Sequence, residues 1–96
     1  MPKGYWVVTY RSVSDPDALV RYGGPAVKKI AESGGRILAR GMPAKVYEFA
    51  DEQRCVVVEF DSVDAAIAAF ENPEYQKIAA ILHGGVEREV RIVEGT

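Results

Sequence analysis

The sequence predicts an α+β fold in which an antiparallel sheet carries two helices on one of its faces. Three observations lead there. The run Arg54-Cys55-Val56-Val57-Val58-Glu59-Phe60 is β-branched and apolar. Strand side chains alternate between faces, so a run of this kind is greasy on both sides and must be covered twice. Two longer stretches place apolar residues three and four apart, each opened by a capping residue and closed by a glycine pair, which is the pattern of amphipathic helices. These pieces follow one another as strand, helix, strand, strand, helix, strand, an order that builds two helices against one sheet face.

Taken in order, Tyr5 to Arg11 is rich in aromatic and β-branched residues and reads as the first strand. Asp15 suits a helix N-cap, because its carboxylate accepts from free backbone N–H groups, and Pro16 suits the first helical position. Leu19, Tyr22, Ala26 and Ile30 then form one helical stripe. Within it, Gly23-Gly24-Pro25 predicts a kink or break, since Pro25 lacks an N–H and crowds the preceding turn. Gly34-Gly35 ends the helix. Arg36 to Arg40 is a short second strand, Gly41-Met42-Pro43 turns the chain, and Lys45 to Phe49 is expected as a short ribbon strand at an edge. After the Val56 strand, Ser62 caps a second helix with the stripe Val63, Ala66, Ile67 and Phe70. Asn72-Pro73 restarts that helix, and Tyr75, Ile78, Ala79 and Leu82 continue the stripe until Gly84-Gly85. Glu89 to Glu94 is the last strand, with Val90 and Ile92 on one face and Arg91 and Val93 on the other. The whole is the ferredoxin-like βαββαβ arrangement.

The helices cover one face only. Half of Tyr5–Tyr10 and half of Cys55–Phe60 are left on the other, so a two-fold homodimer with sheets face to face is expected. The 96 residues suit a single domain, 1–96. With net charge −2 and acids and bases interleaved, there is no basic block to neutralise phosphates, and nucleic acid is not an expected partner. No apolar run approaches the roughly 20 residues of a membrane span. Met1-Pro2-Lys3-Gly4 enters the first strand without the pattern of a signal peptide. Cys55 is the single cysteine, so neither a disulfide framework nor a thiolate metal cage is expected, and the setting predicted is cytoplasmic.

Several segments together carry a family likeness: Gly4-Tyr5-Trp6-Val7-Val8, Gly35-Arg36-Ile37-Leu38-Ala39-Arg40-Gly41, Val57-Val58-Glu59-Phe60 with Asn72-Pro73-Glu74-Tyr75-Gln76, and Ile92-Val93-Glu94-Gly95. In this order and over essentially the full length, the chain resembles the domain of unknown function 1330 family of the dimeric α/β-barrel superfamily. The resemblance implies a ferredoxin-like protomer paired through its sheet into a barrel-like dimer, and no assigned activity. The superfamily includes cofactor-free monooxygenases, haem-degrading enzymes, lactone isomerases and dehalogenating enzymes, whose sites lie between sheet and helices. This analogy sets a location and not a reaction. The chain departs from the family pattern at Met42, at Gly23-Gly24, and at Leu82, where relatives tend to carry arginine. The last departure bears on any anion-binding role shared at that position.

Four residues are candidates for ligand binding: Arg40, His83, Tyr75 and Tyr22. His83, the single histidine, precedes Gly84 near a helix C-terminus, where the helix dipole alone favours a cation. It has no carboxylate spacing around it that would build a metal site, and neither metal nor cofactor is expected. Arg40 shares strand parity with Leu38. Either Glu59 on the neighbouring strand pairs with it, or its planar fork lines a pocket and suits a carboxylate or phosphate. Tyr22 and Tyr75 sit on helix stripes that face the sheet, as pocket walls or as core. Cys55 reads as a small buried hydrophobe. Three functions fit these residues. The first is a homodimer binding a small organic molecule between sheet and helices. The second is a cofactor-free oxygenase or isomerase using His83 or a tyrosine for proton transfer and Arg40 as anion holder. The third is a protein of assembly alone.

Overall fold

The computed structural model describes residues 2–96; Met1, the first residue of the segment read as entering a strand at once, lies outside the described residues. The elements are β1 (Gly4–Val13), α1 (Pro16–Glu32), β2 (Arg36–Gly41), β3 (Cys55–Phe60), α2 (Val63–Glu71), α3 (Pro73–Ala79) with a 3₁₀ turn at Ala80–Leu82, and β4 (Val86–Glu94). The four strands form one antiparallel sheet in the order β2-β3-β1-β4. All three helices lie on one face.

The caps behave as their chemistry dictates. The Asp15 carboxylate accepts from the Asp17 N–H, the Ser62 hydroxyl from Ala65, and the Asn72 side chain from both Glu74 and Tyr75. Helix α1, however, runs unbroken through Gly23-Gly24-Pro25. Ala18, Tyr22, Ala26 and Ile30, four residues apart, are all buried on the sheet, so packing on both sides of Pro25 holds one continuous axis. The ribbon strand expected over Lys45–Phe49 does not form. Residues 42–54 are irregular, Glu48 takes a left-handed φ of 55°, and an Ala50 N–H to Tyr47 carbonyl bond closes a turn where an extended strand was expected. The α2 stripe is also rotated. Ala66 and Ala69 are buried while Ile67 is 36% exposed, because the Trp6 ring occupies the space beneath and donates its indole N–H to the Ala66 carbonyl at 2.8 Å.

Trp6, Val8 and Tyr10 of β1, with Val58 and Phe60 of β3, point into the core beneath the helices. Trp6 is its hub, with ring centroids 5.1 Å from Phe60, 5.4 Å from Phe70 and 5.1 Å from Tyr75. The other sheet face carries Tyr5, Val7, Cys55, Val57 and Val93, and it is less purely apolar than the Val56 run suggested. At one end, Glu59 accepts from the Tyr5 hydroxyl and from Arg36, both at 2.9 Å, and Arg36 also reaches Asp61 at 3.1 Å. At the other end, Glu89 pairs with Arg11 at 3.2 Å and Arg91 at 3.5 Å. Arg91 stands opposite Val7 in the ladder, so charge borders the apolar strip along β4 as well as at its two ends.

Candidate functional site

The sheet does not meet α1 everywhere. Between them lies a cavity of ≈ 70 Å³ whose walls are aliphatic, from Val8, Leu19, Ala26, Ile30, Ile37 and Val56. Tyr10 and Tyr22 add hydroxyl-bearing rings. Arg40, Arg54 and Arg88 also line it, and no acidic residue does.

Each arginine arrives by a definite route. Arg88 stands opposite Tyr10 in the β1–β4 ladder, on the face that the helices cover. Arg54 precedes β3, and its carbonyl accepts the Tyr10 N–H at 3.0 Å. Arg40 depends on a β-bulge. Ile37 pairs with Val58, but Ala39 pairs with Val57, so Leu38 is the extra residue. The bulge reverses the parity of the residues after it and turns Arg40, opposite Val56, onto the helix side. Simple alternation would have put Arg40 on the open face. The pairing of Arg40 with Glu59 is accordingly not found, and Arg36 takes Glu59 instead.

Arg88 is the most constrained of the three. Its two terminal nitrogens donate to the Tyr22 hydroxyl at 3.1 Å and the Tyr75 hydroxyl at 3.0 Å, and those hydroxyls share a hydrogen bond of 2.6 Å. The guanidinium also lies 5.2 Å from the Tyr22 ring centroid. Burial works against the Arg88 charge, but the interactions with Tyr22 and Tyr75 outweigh it and its pKa is raised. Burial, and then the proximity of Tyr75, pushes the Tyr22 hydroxyl well above the ordinary tyrosine range despite Arg88, so Tyr22 stays a neutral phenol. The cluster therefore carries one net positive charge. Among the described residues none of Arg40, Arg54 or Arg88 forms an ion pair.

Of the four residues singled out from sequence, Tyr22 and Arg40 line the cavity, and Tyr75 stands behind it, 1% exposed, as the second hydroxyl on Arg88. His83 is apart. It is exposed at the end of the 3₁₀ turn and borders a separate open groove with Arg11, Gln76 and Glu87. Sequence reasoning missed Arg88 and Arg54. A signal for Arg88 was present, since it breaks the alternation of β4 by placing a charge two residues before Val90 on the apolar face. No group of three or more potential metal ligands occurs among the described residues.

Comparison with known proteins fits this frame. The chain belongs to the family described as domain of unknown function 1330, which it matches over residues 3–96. No curated protein matches it. Among solved structures, it is similar to a protein of unknown function from Rhodopseudomonas palustris at 16% identity and a TM-score of 0.72, covering 99% of this chain and 83% of that one. It is also similar to a dimeric ferredoxin-like protein of unknown function from Thermobifida fusca (14%, TM-score 0.61, 97% and 91% covered). A third is SnoaB, a cofactor-independent oxygenase from Streptomyces nogalater (13%, TM-score 0.68, 100% and 95% covered). At such identities these likenesses establish the ferredoxin-like fold. No described helix is long and apolar enough to cross a membrane.

Proposed function

We propose that this protein is a cytoplasmic homodimer, assembled through its open sheet face, in which each protomer binds a small organic anion between α1 and the sheet. The observation that carries the ligand reading is Arg88. A half-buried guanidinium without a carboxylate partner is costly, and two neutral hydroxyls satisfy its hydrogen bonds without cancelling its charge. An anion in the cavity supplies the missing charge. Tyr22 accepts from Arg88; when Tyr75 donates to Tyr22, the remaining Tyr22 proton is free to point at the ligand. The dimer reading is supported by the apolar strip of Val7, Val57 and Val93 and by the dimeric relative of the same fold.

The test is thermal unfolding with and without pentanoate, a small carboxylate with an apolar tail. At about 100 times its dissociation constant, a ligand of the native state adds about 2.7 kcal/mol. Pentanoate should stabilise the wild-type protein and leave Arg88→Gln unmoved. Equal shifts in both proteins, or none in either, would remove Arg88 from a binding role.

A second reading, a cofactor-free oxygenase or isomerase, rests on Tyr22 as a proton donor inside an arginine-lined cavity and on the fold shared with SnoaB. The cavity wall has no carboxylate or histidine to act as a general base, which favours binding over turnover. Oxygen uptake with an electron-rich phenol such as hydroquinone, abolished in Tyr22→Phe, would reverse that preference.

A further inference from the structure

We infer that the ligand is a dianion with an anionic group at each end of a short apolar spacer, a dicarboxylate being the simplest case. This rests on the reading of the cavity as an anion site and specifies what occupies it. The three arginines come to the cavity from β2, from the residue before β3 and from β4. Arg88 stands at the inner end, on β4, fixed by the Tyr22 and Tyr75 hydroxyls. Arg40 and Arg54 stand at the outer end, where both also line a wider groove that opens along α1 past Leu19, Gly23 and Val27. The waist between the two ends is formed by aliphatic side chains.

The sheet order sets the scale. Three strand spacings separate β4 from β2 and two separate it from β3, so the backbones carrying Arg40 and Arg54 lie roughly 14 Å and 10 Å from that of Arg88 at about 4.8 Å per strand. Long arginine side chains shorten those gaps from both ends, so a ligand bridging them has a short spacer. A monoanion would neutralise Arg88 and leave the half-buried Arg54 facing an apolar chain, with the exposed Arg40 at the mouth. A neutral ligand would answer none of the three. Arg40 is brought to this end by the Leu38 bulge, a feature that an apolar-ligand site would not need.

The experiment compares glutarate with pentanoate, which has the same number of carbons and one charge fewer, by isothermal titration near pH 7. One further charge-assisted contact at a part-exposed mouth is worth about tenfold in affinity. Glutarate is expected to bind the wild-type protein about tenfold more tightly than pentanoate, with the gap narrowing as salt is raised. The double variant Arg40→Gln/Arg54→Gln should weaken glutarate about tenfold more than it weakens pentanoate, bringing the two to within about twofold of each other. Equal affinities in the wild-type protein would overturn the two-ended ligand, even with pentanoate binding dependent on Arg88, and so would a double variant that weakens both ligands alike. Binding of neither compound would overturn both this inference and the anion site beneath it.

Discussion

Replacing Tyr75 by Phe removes a single oxygen from the most enclosed part of the site. That oxygen accepts from Arg88 at 3.0 Å and shares a 2.6 Å hydrogen bond with Tyr22. A hydrogen bond to a charged group contributes about 1.5–3 kcal/mol and a neutral one about 1 kcal/mol. The Phe ring keeps the contacts with Trp6 and Phe70, so little packing is lost. The expected cost is about 2–4 kcal/mol, from a total that is roughly 5–14 kcal/mol for a chain of this length. At about 4–8 °C per kcal/mol, the melting temperature should fall by roughly 8–32 °C. Tyr22→Phe should cost less, about 1–2 kcal/mol, because Tyr22 faces a cavity where water can replace the hydroxyl. Urea unfolding at one fixed protomer concentration measures both, since the proposed dimer would make apparent stability depend on concentration. A double-mutant cycle of Tyr75→Phe with Arg88→Met should return a coupling of about 1.5–3 kcal/mol. A Tyr75→Phe protein within about 0.5 kcal/mol of wild type, or a larger loss in Tyr22→Phe, would mean that the Arg88 charge is not held by the buried hydroxyl.

Three other outcomes follow from the same structure. Hydrogen bonds from Arg36 and then Tyr5 hold Glu59 below the ordinary carboxylate range, and Arg36 and then Lys3 do the same for Asp61; a depressed folded pKa adds stability above the unfolded value and loses it as pH falls through the folded one. Arg36→Ala should therefore lower the urea midpoint at neutral pH and converge with wild type in acid, and a gap that persists below both folded pKa values would contradict this. Val58→Asp places a lone charge where exposure is 0% and should prevent folding, whereas Val57→Asp, on the open face, should keep its circular dichroism and sediment as a monomer. Gly23→Ala should raise stability by about 0.5–1 kcal/mol, since no atom lies within 4 Å of the added Cβ. Gly35→Ala should lower it by about 1–3 kcal/mol, its Cβ falling 2.7 Å from Ile30 Cγ2 and 2.8 Å from Phe60 Cζ; urea midpoints of the two proteins check both signs.

Much of this fold was legible because its signals are local. Asp15, Ser62 and Asn72 cap their helices through side chains two or three residues from the groups they satisfy, and four-residue spacing alone placed Tyr22, Ala26 and Ile30 against the sheet. What escaped depended on distant partners. The Leu38 bulge exists only in the pairing of β2 with β3, and without it period-two counting puts Arg40 on the wrong face. The rotation of α2 away from Ile67 reflects the Trp6 indole, sixty residues earlier in the chain. Arg88 was passed over because the last strand was read as starting at Glu89, whereas β4 begins at Val86. Its hydroxyl partners come from α1 and α3, which no periodicity brings together.

The two ends of the site are built to different standards, and the difference bears on what it does. The inner end is tied to a dense aromatic cluster: Tyr75 packs on Trp6 and Phe70, and Trp6 is itself bonded to α2. The outer end borders Gly23 and Gly24, in the middle of α1. Neither has a positive φ, and neither is pressed by a neighbour, so nothing in the backbone requires glycine there. A helix with two interior glycines followed by Pro25 sacrifices roughly 1 kcal/mol per glycine and more for the proline, relative to alanine. The structure offers one return for that loss. Gly23 borders both the cavity and the groove outside it, and a side chain at that position would narrow the passage between them. If the cavity binds an anion as proposed, a helix weakened at its entrance, above a charge held by two hydroxyls at the far end, is the expected trade between stability and access to a site. On the binding reading proposed above, the glycines and the half-buried Arg54 and Arg88 have a use that a core for assembly alone does not give them.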